Sequence, residues 1–211
     1  MKYFRANGLN AVDLKKKNHL VNYYPKGFGP VDVKNGKSGK WEVTTFTLTE
    51  FDVGLNNLRL IRDGQWQRIV PPGTYTKLTY NGNIVMSDTP AESHEQLGFY
   101  WQARGKILIS GLGLGFGIKA ILNKKEVEQV TVLEKSQDVI KLVGPSIKDK
   151  RVVIVHCDVI NYKPNKNLKW DVVWHDIWSD ICEDNKSEMK KLKAKFARRC
   201  SWQGCWSQEY L

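Results

Sequence analysis

The chain has 211 residues and carries 33 Lys and Arg against 22 Asp and Glu, a formal net charge of +11 at neutral pH. Its 41% hydrophobic and 26% charged content is that of an ordinary globular protein. No apolar run approaches the roughly 20 residues that cross a bilayer, so no membrane-spanning helix is expected, and the length fits one full domain or a domain with a small appendage.

Residues 1–92 are expected to form a β-rich N-terminal lobe. The opening MKYFRANGLN lacks the apolar core of a secretory leader, so a cytosolic location is expected. Turn-rich segments follow at Gly27-Phe28-Gly29-Pro30 and Asn35-Gly36-Lys37-Ser38-Gly39. Trp41 to Thr49, rich in Thr, Val and Phe, predicts a strand. Thr49-Glu50-Phe51-Asp52 reads as the capped start of a short helix with Phe51, Leu55 and Leu58 on one face. Asn81-Gly82 between the apolar runs Leu78–Tyr80 and Ile84–Met86 predicts a hairpin with a two-residue type I′ turn. Pro90 opens a helix capped by Thr89 or Asp88, with Leu97, Tyr100 and Trp101 as its apolar face and Gly105 as its end.

Residues 93–211 alternate strand and helix patterns. The run Lys106-Ile107-Leu108-Ile109-Ser110 ends in four alternating glycines, Gly111, Gly113, Gly115 and Gly117, and a helix with Ile118, Ala120, Ile121 and Leu122 follows. A second run, Val127–Leu133, ends in Glu134. Ser136 caps the next helix, whose Val139, Ile140 and Val143 face inward. A third run, Val152–Val155, is followed by Asp158, and Asp171–Trp174 is a fourth. Asp184 to Arg199 is amphipathic, with Met189, Leu192 and Phe196 on one face and Lys190, Lys191, Lys193 and Lys195 in water. The tail from Ser201 packs through Trp202 and Trp206. The pattern predicts a Rossmann-like α/β domain with a mostly parallel sheet, truncated after the fourth strand.

Glycines at a strand tip let backbone approach a ligand, and acids at the next two tips suit ribose hydroxyls and a base amine. The dinucleotide fingerprint Gly-x-Gly-x-x-Gly fails, because Phe116 or Ile118 occupies its third glycine position. A phosphate-binding P-loop fails because no Gly-Lys-Ser/Thr follows. Glu134 alone also reads as a surface carboxylate, and Asp158 alone as a turn cap; their joint spacing is what points to a nucleotide. The four cysteines fit reduced, packed thiols, and no metal site is expected, because Cys200 and Cys205 lack a zinc spacing.

Gly-x-Gly-x-Gly with an acid ending the second strand and another after the third resembles the class I S-adenosylmethionine (SAM) dependent methyltransferase superfamily. The resemblance implies SAM, or decarboxylated SAM, as cofactor. It places Gly111, Gly113 and Gly115 under the methionine part, Glu134 on the ribose hydroxyls and Asp158 on the adenine amine. Three features are similar to the spermidine synthase-like branch: the segment Ser87-Asp88-Thr89-Pro90-Ala91-Glu92-Ser93-His94-Glu95, the hairpin lobe before the domain, and Asp171-Val172-Val173-Trp174-His175-Asp176-Ile177-Trp178-Ser179-Asp180 at the fourth strand. That likeness implies Asp176 as proton acceptor, Asp180 as a second acid, and Asp88 and Glu95 as substrate-binding residues. His175, beside Asp176, is either a further acid–base group or a structural histidine. The glycine loop lacks the acid that the branch carries there, and the entry tyrosine is absent.

The function expected first is methyl transfer from SAM to an unidentified acceptor. Aminopropyl transfer comes second, and a non-catalytic SAM-fold binding protein third. The acceptor is a small molecule or a macromolecular polyanion, nucleic acid included, since a basic surface attracts polyanions. The same basic balance counts against a polycationic substrate. A homodimer would supply cover for the open sheet edge.

Overall fold

The structure, a computed structural model, describes residues 23–180 and 182–210. The opening segment read above as leaderless, and with it the start of the β-rich lobe, lies outside the described residues.

The lobe takes the form of a four-stranded antiparallel sheet in the order β1-β2-β3-β4: β1 (Gly36–Ser38), β2 (Trp41–Leu48), β3 (Gly73–Tyr80) and β4 (Asn83–Ser87). Asn81 and Gly82 both adopt positive φ, 50° and 82°, as the expected type I′ hairpin requires. Helix α1 (Glu50–Arg62) joins β2 to β3. Its capping box is complete: Asp52 N donates to Thr49 Oγ1, and Thr49 N donates to Asp52 Oδ2. Its apolar face does not enter the core, for Phe51, Leu55 and Leu58 are all exposed.

The helix expected from Pro90 to Gly105 is two helices, α2 (Pro90–Glu95) and α3 (Leu97–Gln102), broken at Gln96. Gln96 is buried and turns its amide under the glycine loop, where it donates to Asp176 Oδ2 at 3.4 Å. Trp101, expected on the buried side, is exposed.

The second sheet is wholly parallel, in the order β7-β6-β5-β8-β9: β5 (Gly105–Ser110), β6 (Val127–Glu134), β7 (Val152–His156), β8 (Trp170–His175) and β9 (Cys200–Cys205). Helices α4 (Phe116–Leu122), α5 (Gln137–Val143) and α6 (Glu183–Phe196) follow β5, β6 and β8, and a helix-free loop joins β7 to β8. The expectation of a sheet truncated after the fourth strand is corrected: β9 is a fifth. Long-range pairing makes it a strand, with Val172 beside Trp202 and His175 beside Cys205. The rings of Trp174 and Trp202 stack with centroids 6.3 Å apart.

Alternation along β5 and β8 divides the core. Ile107, Ile109, Val172 and Trp174 join the α3, α4 and α5 side chains and the lobe residues Val43, Tyr75 and Leu78 in one cluster. Leu108, Val173, Leu192 and Phe196 form another under α6. The lobe and the parallel sheet thus share apolar packing.

Asp88 locks the segment before the lobe onto β3. Thr76 N donates to its Oδ1 at 2.6 Å, Val31 N donates to its Oδ2 at 2.9 Å, and the Tyr24 hydroxyl donates to its carbonyl. Asp88→Ala would remove the charged acceptor of two buried backbone N–H groups, and hydrogen bonds to a charged group are worth about 1.5–3 kcal/mol each. The expected loss is about 2–4 kcal/mol in urea unfolding, and a loss below about 0.5 kcal/mol would contradict this role.

Candidate functional site

The order of the parallel strands reverses at β5, between β6 and β8, and a cavity of about 670 Å³ opens at the carboxyl ends there. In open α/β sheets this crevice is where ligands bind, and the volume lies within the roughly 300–1,000 Å³ of small-molecule sites. The lobe covers it, with Trp41, Tyr80 and Met86 on its wall.

The floor is the glycine loop. Gly111 has φ 97°, and a Cβ there would stand 2.0 Å from the Asp176 carbonyl oxygen, so only glycine lets the tips of β5 and β8 approach this closely. Asp176 N completes the approach by donating to Ser110 O at 2.9 Å. At Gly113 a Cβ would meet Met86 Sδ at 2.6 Å, and Leu114 N donates to the same sulfur at 3.3 Å.

Glu134 is buried at the tip of β6. Its Oε2 accepts from Leu112 N at 2.8 Å and its Oε1 from Ser136 N at 2.7 Å. A carboxylate has about four acceptor positions, so two remain for a ligand. Asp158 lies on the same wall, where its Oδ1 accepts from Ile160 N at 2.8 Å and its Oδ2 from Asn161 Nδ2 at 3.3 Å. It therefore caps a turn and faces the cavity at once.

Of the residues singled out from sequence, Gly111, Gly113, Glu134, Asp158 and Asp176 line this one cavity, and five others do not. Gly115 adopts the left-handed conformation that starts α4 and lies beside Ile147. Asp88 is the clamp described above. His175 is wholly buried on the α6 side, its Nδ1 2.9 Å from Ser110 Oγ and its ring against Phe196. Burial, then Lys193 and Lys195, push its pKa down to about 4, so the ring is neutral at pH 7. Asp180 is exposed beside Ser179 and Asn185. Glu95 accepts from Trp206 Nε1 at 2.9 Å, one layer behind the wall.

Glu92, Glu188 and Trp206 line the cavity without having been singled out for it. Glu92 lies one helical turn before Glu95 on α2, and that spacing was the available signal. The wall holds five acids (Glu92, Glu134, Asp158, Asp176 and Glu188) against one base, Lys135. Within a chain of net charge +11 the acids are thus gathered at this cavity. Burial, and then repulsion from Glu95 and Asp176, push Glu92 up to about 8, against the lowering effect of the Ser87 hydrogen bond. Burial and then Glu95 push Asp176 up to about 7.

No protein-family profile matches this chain, and no curated protein matches it. Solved structures do, over part of the fold. The plantazolicin methyltransferase BpumL in complex with SAH matches at 18% identity and TM-score 0.38, over 51% of this chain and 39% of that one. An S-adenosylmethionine dependent methyltransferase from Mesorhizobium loti matches at 13% identity and TM-score 0.40, over 51% and 49%. The 23S rRNA methyltransferase ErmE matches at 15% identity and TM-score 0.40, over 50% and 41%. The matched region thus spans 39% to 49% of the length of these proteins. Among the described residues no helix is long and apolar enough to cross a membrane.

The raised acids carry a pH signature. Folding favours their protonated forms, so their contribution is full below about pH 4 and is lost as pH rises through about 7 to 8. Glu92→Gln and Asp176→Asn remove that loss. At about 1.4 kcal/mol per unit of pKa, each is expected to stabilise the protein by about 1–3 kcal/mol at pH 8.5 and by little at pH 4. Thermal melts at the two pH values check this, and a difference independent of pH would contradict it.

Proposed function

We propose that the cavity holds SAM and that the chain transfers its methyl group to an acceptor admitted at the Glu92–Asp176 end. The observation that carries this reading is the convergence of the Gly111–Gly113 backbone, Glu134 and Asp158 on one cavity at the strand-order reversal. The residues fit the cofactor. A ribose diol offers two donors to the two acceptor positions left on Glu134, and charge-assisted bonds of this kind are about twice as strong as neutral ones. Asp158 offers an acceptor to an adenine amine. The acidic wall suits a cofactor whose sulfonium and ammonium are both positive.

Bound there, SAM supplies an electrophilic methyl carbon for in-line displacement. The chain's part is to align the acceptor and exclude water. Asp176 and Glu92, with pKa values near neutrality, are matched to take a proton from an amine or hydroxyl as it attacks. Aminopropyl transfer, the reaction of the spermidine synthase-like branch, has weaker support, because Asp88 is committed to backbone and Glu95 to Trp206. An open, acid-lined cavity also favours a working site over a silent scaffold.

Isothermal titration with SAM tests the reading. Binding to the wild-type chain is expected, and Glu134→Ala is expected to weaken it at least 10-fold, since hydrogen bonds to a charged group are worth about 1.5–3 kcal/mol each. Unchanged affinity in a variant that melts normally would refute the ribose role. A cation entering this wall also pulls the raised pKa values down. Binding at pH 7 should therefore release protons, read as a heat that varies with the buffer's ionisation enthalpy, and a buffer-independent heat would contradict the acidic placement.

A further inference from the structure

Helix α1 presents to solvent what a helix usually hides. Only Val53 is buried along it, and its inner side is fixed by Asn57, which donates to Val70 O at 2.8 Å and accepts from Val70 N at 3.3 Å. The outer stripe runs through Phe51, Leu55, Leu58 and Arg62, at helical spacings of four, three and four. Phe51 is 94% exposed, Leu55 73% and Leu58 63%, and Trp66 in the turn after the helix is 60% exposed. Isolated exposed apolar residues are common, but an apolar stripe along one face of a helix marks an interaction surface.

We propose that α1 pairs with α1 of a second copy of this chain, antiparallel about a two-fold axis. The charges on the helix argue for that occupant. Glu50 and Asp52 occupy its first turn, and Arg59 and Arg62 its last. Asp52 and Arg59 stand seven residues apart on the same flank of the stripe, so an antiparallel pair sets each Asp52 against the Arg59 of its partner. Leu55 then lies over Leu58 of the partner, and Phe51 lies along the aliphatic stem of the partner's Arg62. A two-fold contact requires such self-complementarity, each residue meeting its counterpart's mate in both directions.

The overall charge reinforces the choice. Two copies at +11 repel, and they meet at least cost where local charge cancels. The four charged residues of the first and last turns of α1 sum to zero. A polyanion or an acidic protein would be drawn elsewhere, to the lysine-rich faces.

Sedimentation of the full chain between 1 and 100 μM tests the proposal. The wild type is expected to dimerise in this range, and Leu55→Glu to stay monomeric with an unchanged melting temperature. Arg59→Asp and Asp52→Arg are each expected to weaken the dimer at least 5-fold at low salt. Mixed together, these two variants should form a heterodimer, since every flank contact is then between opposite charges. A wild-type monomer at 100 μM, a dimer that survives Leu55→Glu, or a mixture no tighter than its parts would overturn the proposal. So would a chain that dimerises only after residues 1–22 are removed, because its own N-terminal segment would then be the occupant.

Discussion

Glu134 ties the site together. One carboxylate accepts the amide of Leu112 in the glycine loop and the amide of Ser136 at the start of α5. The loop after β5 and the turn after β6 are thereby held at a fixed separation. The bare Gly111, pressed against the Asp176 carbonyl, fixes the same loop to β8. Three neighbouring strand tips are thus locked by one carboxylate and one missing side chain, and the cavity is the space they leave under the lobe. The functional roles assigned to Glu134 and Asp176 depend on this arrangement, and Asp158, after β7, lines the same cavity.

The wall's electrostatics run opposite to the rest of the molecule. A strongly basic chain concentrates five acids around one crevice. Burial, and then repulsion from neighbouring carboxylates, raises the pKa values of Glu92 and Asp176. That arrangement costs stability near neutral pH and is relieved by a cation. Clusters of this kind are the usual mark of binding and catalysis rather than of folding. The basic exterior and acidic interior also separate two questions that net charge alone confuses: what the surface attracts and what the pocket accepts.

Much of this was legible in the sequence, for identifiable reasons. Strands β5 to β8 announced themselves because buried parallel strands are continuous apolar runs. The hairpin and the start of α1 were legible because turns and caps are local chemistry. What stayed hidden depended on distant partners. Strand β9, Cys-Ser-Trp-Gln-Gly-Cys, has neither alternation nor β-branched residues; its pairing with β8 and the stacking of Trp202 on Trp174 make it a strand. Asp88 read as a substrate ligand because nothing local shows that Val31 and Thr76 use both its oxygens. Glu92 was passed over for Glu95 because the break at Gln96, which packs under the glycine loop, decides how α2 meets the cavity. Helix α1 was legible as a helix, but its exposure is a property of the whole fold.

The most direct measurement pairs one ligand atom with one side chain. S-adenosylhomocysteine and its 2′-deoxy analogue, titrated against the wild-type chain and against Glu134→Ala, isolate the contact between carboxylate and ribose. The account predicts that losing the hydroxyl weakens wild-type binding at least 10-fold, a difference expected for a hydrogen bond to a charged group, and that the variant binds both compounds alike. Equal affinity of the wild-type chain for the two would contradict it.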